Sequence, residues 1–241
     1  MYSILGEVKM VYRTSNETQN RKDEKKEHII NTAADLFEKN GYTRTTVKDI
    51  VKAADISTGS FYFYFKNKEA LFETLYDRFI STLEKVSDYS LNQHEGLVSG
   101  FSKSKTAELW LFQHCRGLAR AMIIEAVGHN PTFELKRAEI FRKSHERIVK
   151  RFVKMNSKGS LKTIDPWIAT LLCNGTLYSV IDDWLQGEGK TNLVDYAYPI
   201  ITFNLNAFKI SYEELDVQTY ISEMIIEMEK HYSDLLNFNI D

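Results

Sequence analysis

Hydrophobic residues recur along most of the chain at three- and four-residue steps, the spacing that gathers them on one face of an α-helix. The segment 21–40 shows this pattern, and its apolar positions are Ile29, Ile30, Ala33, Ala34, Leu36 and Phe37. Gly41 follows directly, and glycine is common just after a helix because it adopts the left-handed conformation without strain. The pattern predicts an amphipathic helix over 21–40.

Three polar side chains then stand where they can cap the first turns of further helices. Thr46, with Asp49 three residues later, has the sequence of a capping box, in which the two side chains bond free backbone N–H groups. Ser57 precedes a short segment that ends at Phe65, and Asn67 precedes a longer amphipathic segment. We therefore expect two short helices and then a long fourth helix.

The rest of the chain also has helical periodicity. It predicts helices at about 104–128, 131–156, 163–186, 192–209 and 212–238. Pro131 and the pair Asp165-Pro166 mark two of the starts, because proline is tolerated at the first position of a helix. Ser211 and Glu214 predict another capping box. The predicted fold class is all-α.

The composition supports a helical globular protein. The 241 residues are 43% hydrophobic and 27% charged, and 11 glycines and 3 prolines are too few for a turn-rich β fold. The net charge of −2 argues against a protein that coats nucleic acid by bulk attraction. The segment 41–68 is nevertheless basic, since its five basic and two acidic side chains give a net charge of +3. A local basic patch of this kind suits a module that reads DNA.

The cysteines and the chain start bear on the cellular compartment. Cys115 and Cys173 lie in apolar helical segments, so we expect buried, reduced thiols rather than a redox-sensing pair. No apolar run approaches the ~20 residues of a membrane span. Residues 1–20 lack the basic start and apolar stretch of a secretory signal, and we expect a flexible tail there, with Met10 as an alternative start. These features favour a cytoplasmic protein without a membrane partner.

The two short helices after 21–40 have the arrangement of a helix-turn-helix. They cannot bury much surface alone, so the helix at 21–40 must pack across both and leave the last helix outside, where it can enter the major groove of DNA. Thr58 and Gly59 are small enough to let the backbone approach a duplex, and Ser60 can hydrogen-bond to it. Tyr62 and Phe63 can lie on sugar and thymine-methyl surfaces.

The aromatic run 61–65 has a second interpretation. Five consecutive aromatic residues are by themselves typical of a β-strand. Helix signals stand on both sides of this run, however, and the pattern predicts no partner strand. We therefore expect a helix in which Phe61 and Phe65, four residues apart, face the core.

A dense set of motif residues surrounds this run. They are Gly41-Tyr42, Thr45-Thr46-Val47, Asp49-Ile50, Ala53-Ala54 and the continuous stretch Ser57–Glu69. With them, positions from about 22 to 72 resemble the DNA-binding domain of the TetR family of transcriptional regulators nearly residue for residue. The resemblance implies that Tyr62, Lys68 and Thr46 hold DNA phosphates. Such contacts suit Thr46 and Lys68, because free amides and the helix dipole favour an anion at a helix start.

The resemblance also implies base contacts by the residues matching Thr58, Gly59 and Phe63. The full set of predicted DNA-contacting residues is Thr45, Thr46, Lys48, Thr58, Gly59, Ser60, Tyr62, Phe63, Tyr64 and Lys68. Two residues depart from the family pattern, since Asp55 replaces the turn glycine and Phe63 replaces a polar residue or histidine. Aspartate tolerates the left-handed region, so the turn should survive. Phe63 prevents the operator sequence from being inferred from relatives.

The resemblance divides the chain into a tail (1–20), a DNA-binding domain (21–68) and a larger helical domain (69–241). It implies that the larger domain binds an effector and forms a homodimer through the helices at 163–186 and 192–209. The predicted interface residues are Trp167, Leu171, Tyr178 and Ile181. Small residues among the apolar ones in 163–186 allow close helix approach, although an intramolecular core would explain the same pattern.

Polar and aromatic residues within apolar helices are candidates for a small-molecule pocket. The predicted pocket residues are Trp110, His114, Met122, Glu125, Asn174 and Tyr178. A purely structural role is the alternative for each of them. The residue pattern does not identify the effector.

The sequence favours a homodimeric repressor that leaves a palindromic double-stranded DNA operator when a small-molecule effector binds. An activator on the same fold and a helical protein-interaction scaffold are the alternatives. The sequence has no nucleophile–base cluster, glycine-rich phosphate loop or metal-ligand spacing. We therefore expect neither an enzyme nor a bound metal or cofactor.

Overall fold

The regular elements are helices throughout the described residues, as the hydrophobic periodicity predicts. The computed structural model describes residues 8–92, 96–125, 131–156, 164–187 and 191–231. Their α-helices are α1 (Val8–Asn40), α2 (Val47–Ala53), α3 (Thr58–Tyr64), α4 (Lys68–Asn92), α5 (Leu97–His114), α6 (Arg116–Arg120), α7 (Pro131–Asn156), α8 (Pro166–Gln186), α9 (Ala197–Ala207) and α10 (Glu214–Lys230). A π-helical turn, Ala121–Glu125, extends α6, and a 3-10 turn, Leu193–Tyr196, leads into α9. The predicted all-α fold class is confirmed.

The helices α1, α2 and α3 form an N-terminal head around the apolar stripe of α1. Ile29 and Phe37 of α1, Ile50 of α2 and Phe61 of α3 are buried in one hydrophobic cluster. Phe65, four residues after Phe61, is buried in the same cluster. The aromatic run is therefore helical up to Tyr64, with Phe61 and the capping residue Phe65 in the core, and its interpretation as a β-strand is wrong.

The predicted caps fix the starts of α2, α3 and α4. Thr46 Oγ1 accepts from the Asp49 N–H at 3.2 Å, and Asp49 Oδ2 accepts from the Thr46 N–H at 2.9 Å, so the capping box is complete. The side chains of Ser57 and Asn67 each accept from the N–H three residues later, at 3.0 and 2.9 Å. These bonds satisfy amides that a helix start leaves without an intrahelical partner.

Left-handed backbone closes the two turns of the head. Gly41 has a φ of 82° directly after α1, and Asp55 has a φ of 50° between α2 and α3. The substitution of the usual glycine by Asp55 therefore preserves the turn, as predicted. His28 Nε2 donates to the Ala54 carbonyl at 3.0 Å and ties this turn to α1.

The helix α1 begins earlier than the sequence pattern predicts. Residues 8–20 are helical and continue directly into 21–40, so the expectation of a flexible tail is wrong for them, and residues 1–7 lie outside the described residues. The physical reason is that no glycine or proline interrupts the chain from Val8 to Asn40, so nothing stops a polar helix from continuing outwards.

A glycine determines how the head meets the rest of the chain. The predicted helix at 104–128 begins instead at Leu97 and breaks at Cys115, so that α6 turns against α1. A Cβ on Gly117 would stand only 2.2 Å from Cα of Glu38. The absence of a side chain at Gly117 therefore permits this close approach.

The remaining helices, α4 to α10, form a helical body. The predicted start of α8 is confirmed, since Asp165 Oδ1 accepts from two N–H groups of the first turn and Pro166 is its first residue. The capping box predicted from Ser211 and Glu214 is wrong, because α10 begins after Glu213 without a side-chain cap. None of the described helices is long and apolar enough to cross a membrane.

Both cysteines are buried and unpaired, as predicted. Burial raises the pKa of the Cys115 and Cys173 thiols to about 12. The thiols therefore stay protonated at neutral pH, and a reactive redox pair is not supported.

Candidate functional site

The outward face of α3 carries two exposed aromatic side chains. Tyr62 and Phe63 are 54% and 67% exposed, whereas Phe61 beside them is buried. The Phe61 and Tyr62 rings meet edge to face with centroids 5.4 Å apart, so the buried Phe61 ring packs against the exposed Tyr62 ring. The short helix is thus anchored through its inner face and presents its outer face to solvent.

The other predicted contact residues of α3 surround these rings. Thr58 and Gly59 are exposed in the first turn, and a Cβ on Gly59 would meet nothing closer than 3.9 Å. Ser60 and Tyr64 are half-buried. The face is therefore polar and small at the start of α3 and aromatic towards its end, the combination that suits approach to a duplex.

The start of α2 is an exposed helix N-terminus, where an anion is favoured. Thr46 and Lys48 are exposed, and the Thr46 hydroxyl also donates to Asp49 Oδ2 at 2.6 Å. Hydrogen bonds from the Thr46 side chain and backbone, with smaller contributions from Lys48 and Lys52, lower the pKa of Asp49 below its ordinary value. Asp49 is therefore a fixed negative charge that holds the cap in place.

Thr45 is placed differently from the prediction. Its side chain is only 1% exposed, and its hydroxyl donates to the Gly41 carbonyl at 2.8 Å. A side chain enclosed in this way cannot reach DNA, so the inclusion of Thr45 among the side-chain contacts is wrong. Of the adjacent pair Thr45-Thr46, only Thr46 faces solvent.

Lys68 joins the start of α4 to the loop before α2. Its Nζ donates to the carbonyls of Tyr42 and Thr45 at 2.8 and 2.9 Å and lies 4.1 Å from the centroid of the Tyr42 ring. Burial lowers the pKa of Lys68, and Glu69 and Glu125 act in the opposite direction. Since an ammonium group has three donors, two carbonyl bonds leave Lys68 one N–H for a phosphate.

Glu125 links the body to the head. The Glu125 carboxylate accepts from the Thr43 N–H at 3.0 Å and pairs with Arg120 Nε at 3.3 Å. Arg120 in turn donates to the carbonyl of Leu185 near the end of α8. The π-helical turn, which the sequence does not reveal, holds the Glu125 carboxylate against the head, and the role of Glu125 in a pocket stays a prediction.

Two adjoining cavities lie inside the body between α4, α5, α7 and α8. Their volumes are about 40 and 50 Å³. Ser87, Glu108, Ile148 and Asn174 line both of them, and Tyr178 lines the first. Asn174 and Tyr178 therefore lie at these cavities, and their contact with an effector stays a prediction.

The other predicted pocket residues lie away from these two cavities. Trp110 is buried and its ring stacks on His114 with centroids 3.7 Å apart. Met122 is buried in the hydrophobic core. A structural role for Trp110, His114 and Met122 therefore has better support than a role in binding a small molecule.

A buried ion pair beside the cavities was not predicted from the sequence. Lys105 Nζ donates to both carboxylate oxygens of Glu108 at 3.1 and 3.0 Å, and Ser104 Oγ adds a third bond at 3.2 Å. Lys105 and Glu108 are both buried, and a buried charge requires such partners. The signal was available, because Ser and Lys alternate within the otherwise apolar start of α5.

The helices α8 and α9 share an exposed apolar face. Its large members are Trp167, Ile168, Leu171, Leu172 and Phe203. Gly175 and Ser179, one and two turns further along α8, are exposed and small. Apolar patches of this kind mark surfaces that another molecule covers.

Two of the four predicted interface residues are not on this face. Ile181 is completely buried. Tyr178 points inwards, where its ring meets Phe112 and Phe141 edge to face. The placement of Tyr178 and Ile181 at the interface is wrong, because α8 is apolar on both its inner and outer faces.

The head has the geometry of a helix-turn-helix DNA-binding protein, and comparisons with known proteins support that class. Residues 29–81 match the family model described as bacterial regulatory proteins, tetR family. The HTH-type transcriptional regulator YerO of Bacillus subtilis is 51% identical over 49 residues, which are 20% of this chain and 17% of YerO. Residues 29–81 therefore match the N-terminal domain of the tetR family of bacterial regulatory proteins.

Solved structures extend the similarity of fold to the body. The fatty acid degradation regulator FadR from Bacillus halodurans superimposes with a TM-score of 0.66 at 23% identity, over 75% of this chain and 94% of FadR. FadR from Bacillus subtilis in complex with stearoyl-CoA gives a TM-score of 0.63 at 21% identity, over 73% of this chain and 96% of that protein. At these identities the similarity establishes the fold alone.

Proposed function

We propose that the protein is a cytoplasmic, non-enzymatic repressor that binds its operator as a homodimer and leaves it when a small molecule enters the body. The observation that carries this proposal is the outward face of α3, with Tyr62 and Phe63 exposed on a helix whose inner face is buried. The proposed DNA-contacting residues are Thr46, Lys48, Thr58, Gly59, Ser60, Tyr62, Phe63, Tyr64 and Lys68.

The apolar face of α8 and α9 supports the homodimer. Large exposed side chains such as Leu171 and Phe203 lose contact with water when a second copy covers them. A two-fold dimer uses the same face of each copy and presents two α3 helices. Such a pair matches a palindromic operator with half-sites about 34 Å, or a multiple of this, apart.

The internal cavities support an effector site between α4, α5, α7 and α8. Phe141 and Tyr178 supply apolar surface, and Glu108 and Asn174 supply polar groups, the combination that small-molecule sites use. A protein of similar fold, FadR from Bacillus subtilis, is found with stearoyl-CoA. We propose an amphipathic small molecule for this chain, whose binding enlarges the two cavities into one.

The contacts of Glu125 supply a route from this site to the head. Movement of α8 would disturb the bond between Arg120 and Leu185, and through Glu125 the backbone at Thr43. A hundredfold loss of operator affinity requires a coupling free energy of about 2.7 kcal/mol between effector and DNA.

A gel shift on the DNA upstream of the gene that encodes this chain tests the proposal. We expect retardation at low salt that weakens steeply as salt is added, because phosphate contacts release counterions. Absence of retardation with a folded dimer would favour a protein-interaction scaffold. Deletion of the gene then separates the remaining alternatives, since target transcription rises for a repressor and falls for an activator.

A further inference from the structure

The outer part of α1 continues the side of the helix that packs in the head. Ile29 and Ala33 are fully buried on this side. Steps of three, four and seven residues return to the same side of a helix, so it continues outwards through Lys26 and Lys22. Beyond Ile29 the side of α1 that faces α2 and α3 is therefore basic instead of apolar.

Two acidic side chains of the same segment, Glu27 and Asp23, have other partners. Glu27 is paired with Arg78 of α4, with its Oε1 2.5 Å from Arg78 Nη2. Asp23 accepts a hydrogen bond from Gln19 on α1 itself at 3.0 Å. Each of these two carboxylates therefore bonds to a partner other than Lys22.

Lys22 lies beside the outward face of α3. Its Nζ is 5.8 Å from the centroid of the Phe63 ring, and both side chains are exposed. A cation at this distance from an exposed ring is only weakly attracted. The ammonium group therefore stays hydrated and free to exchange this contact for a stronger one.

We infer that Lys22 binds a phosphate of the DNA strand that borders the groove entered by α3. The inference rests on the proposed insertion of α3 into the major groove. A major groove is about 12 Å wide, so a cation at the rim of the inserted face meets the phosphates of the groove wall. The DNA interface then includes α1 before Ile29 in addition to the helix-turn-helix.

The test uses fluorescence anisotropy with a duplex that the wild-type protein selects from a random-sequence library. Dissociation constants of the wild type and of Lys22→Ala are measured from 0.05 to 0.3 M salt. One lost phosphate contact lowers the slope of log Kd against log salt by about 0.9 and weakens binding roughly fivefold at 0.15 M. A dimer loses one contact in each head. The change in slope is therefore twice that of a single contact, and the fold-change in Kd is the square of that of a single contact.

Lys39→Ala is the matched control, because Lys39 is exposed in the last turn of the same helix, far along α1 from Lys22, and its replacement removes the same charge. We expect Lys39→Ala to bind within about twofold of the wild type. Lys22→Ala should weaken binding to a scrambled duplex by the same factor as to the selected one, since phosphate contacts carry no sequence information.

If Lys22→Ala has the same salt slope as the wild type, the inference is wrong. The proposed function still stands in that case, because the wild type binds the selected duplex. A changed base preference with an unchanged slope would overturn it as well, because Lys22 would then act by positioning Phe63. If the wild type selects no duplex, the proposed function fails and this inference fails with it.

Discussion

Tyr62 combines an exposed hydroxyl with a ring that Phe61 holds in place. Replacement of Tyr62 by Phe removes only the hydroxyl. A hydrogen bond to a charged group contributes about 1.5 kcal/mol, and a dimer loses one in each head. We therefore expect roughly 100-fold weaker binding to selected and scrambled duplexes alike. Anisotropy titrations of both duplexes measure this, and an unchanged affinity would remove Tyr62 from the phosphate-binding residues.

Thr46 caps α2 through its hydroxyl. We expect Thr46→Ala to lower the free energy of unfolding by about 1 kcal/mol and Thr46→Ser to leave it nearly unchanged, because serine retains the capping oxygen. Urea unfolding of the three proteins at pH 7 measures the difference. Equal losses in both variants would show that the methyl group, rather than the cap, stabilises this site.

The same cap gives a pH dependence through Asp49. Its hydrogen bonds with Thr46 lower the pKa of Asp49 below the ordinary value of 3.8. A carboxylate with a lowered pKa stabilises the fold above the ordinary value and loses that contribution as the pH falls through the lowered one. The difference in unfolding free energy between wild type and Thr46→Ala should therefore shrink in strong acid, and a difference that grew there would contradict this mechanism.

At the scale of single elements, Gly117 determines how closely α6 approaches α1. We expect Gly117→Ala to lower the free energy of unfolding by about 1–3 kcal/mol, because its Cβ would overlap the backbone of α1. Gly59→Ala is the control, since its Cβ would meet nothing closer than 3.9 Å and alanine favours the helix. Urea unfolding compares the two, and an equally stable Gly117→Ala would show that α6 can move away at no cost.

The helices themselves could be predicted from the sequence, because local signals determine where they begin and end. Thr46, Ser57 and Asn67 cap helices as their positions indicate. The break at Cys115 could not be predicted in this way. It results from the packing of α6 on α1, a contact between residues about 80 positions apart for which local periodicity carries no signal.

Which side of a helix faces inwards was predictable only where the helix is amphipathic. In α3 the buried and exposed positions followed from the spacing of Phe61 and Phe65. In α8 apolar residues cover both sides, so Leu172 on the outside and Ile181 on the inside look alike in the sequence. The internal cavity depends on four such helices, and for this reason only Asn174 and Tyr178 of the predicted pocket residues line it.

At the scale of the whole molecule, the apolar face of α8 and α9 is expected to hold two copies together. Leu171→Asp places a charge in that interface, and an unpaired buried charge costs several kcal/mol. We expect dimerisation at least 100-fold weaker, corresponding to about 2.7 kcal/mol, together with loss of operator binding. Sedimentation velocity measures the association state.

Leu135→Asp is the control for this experiment, because Leu135 is also an exposed leucine but belongs to α7 and not to α8 or α9. The control should dimerise like the wild type. A dimeric Leu171→Asp protein would show that another surface joins the copies.

The outward face of α3 is tested most directly by operator affinity in a variant that removes both of its exposed rings. We compare the wild type, Tyr62→Ala/Phe63→Ala and the exposed-surface control Leu135→Ala by anisotropy on the selected duplex at 0.15 M salt. Loss of the Tyr62 hydrogen bond costs about 1.5 kcal/mol, and loss of the Phe63 ring that DNA buries costs about 1.5 kcal/mol or more. The double variant should therefore bind at least ~100-fold more weakly while it remains a folded dimer. Wild-type affinity in the double variant would contradict DNA binding through α3.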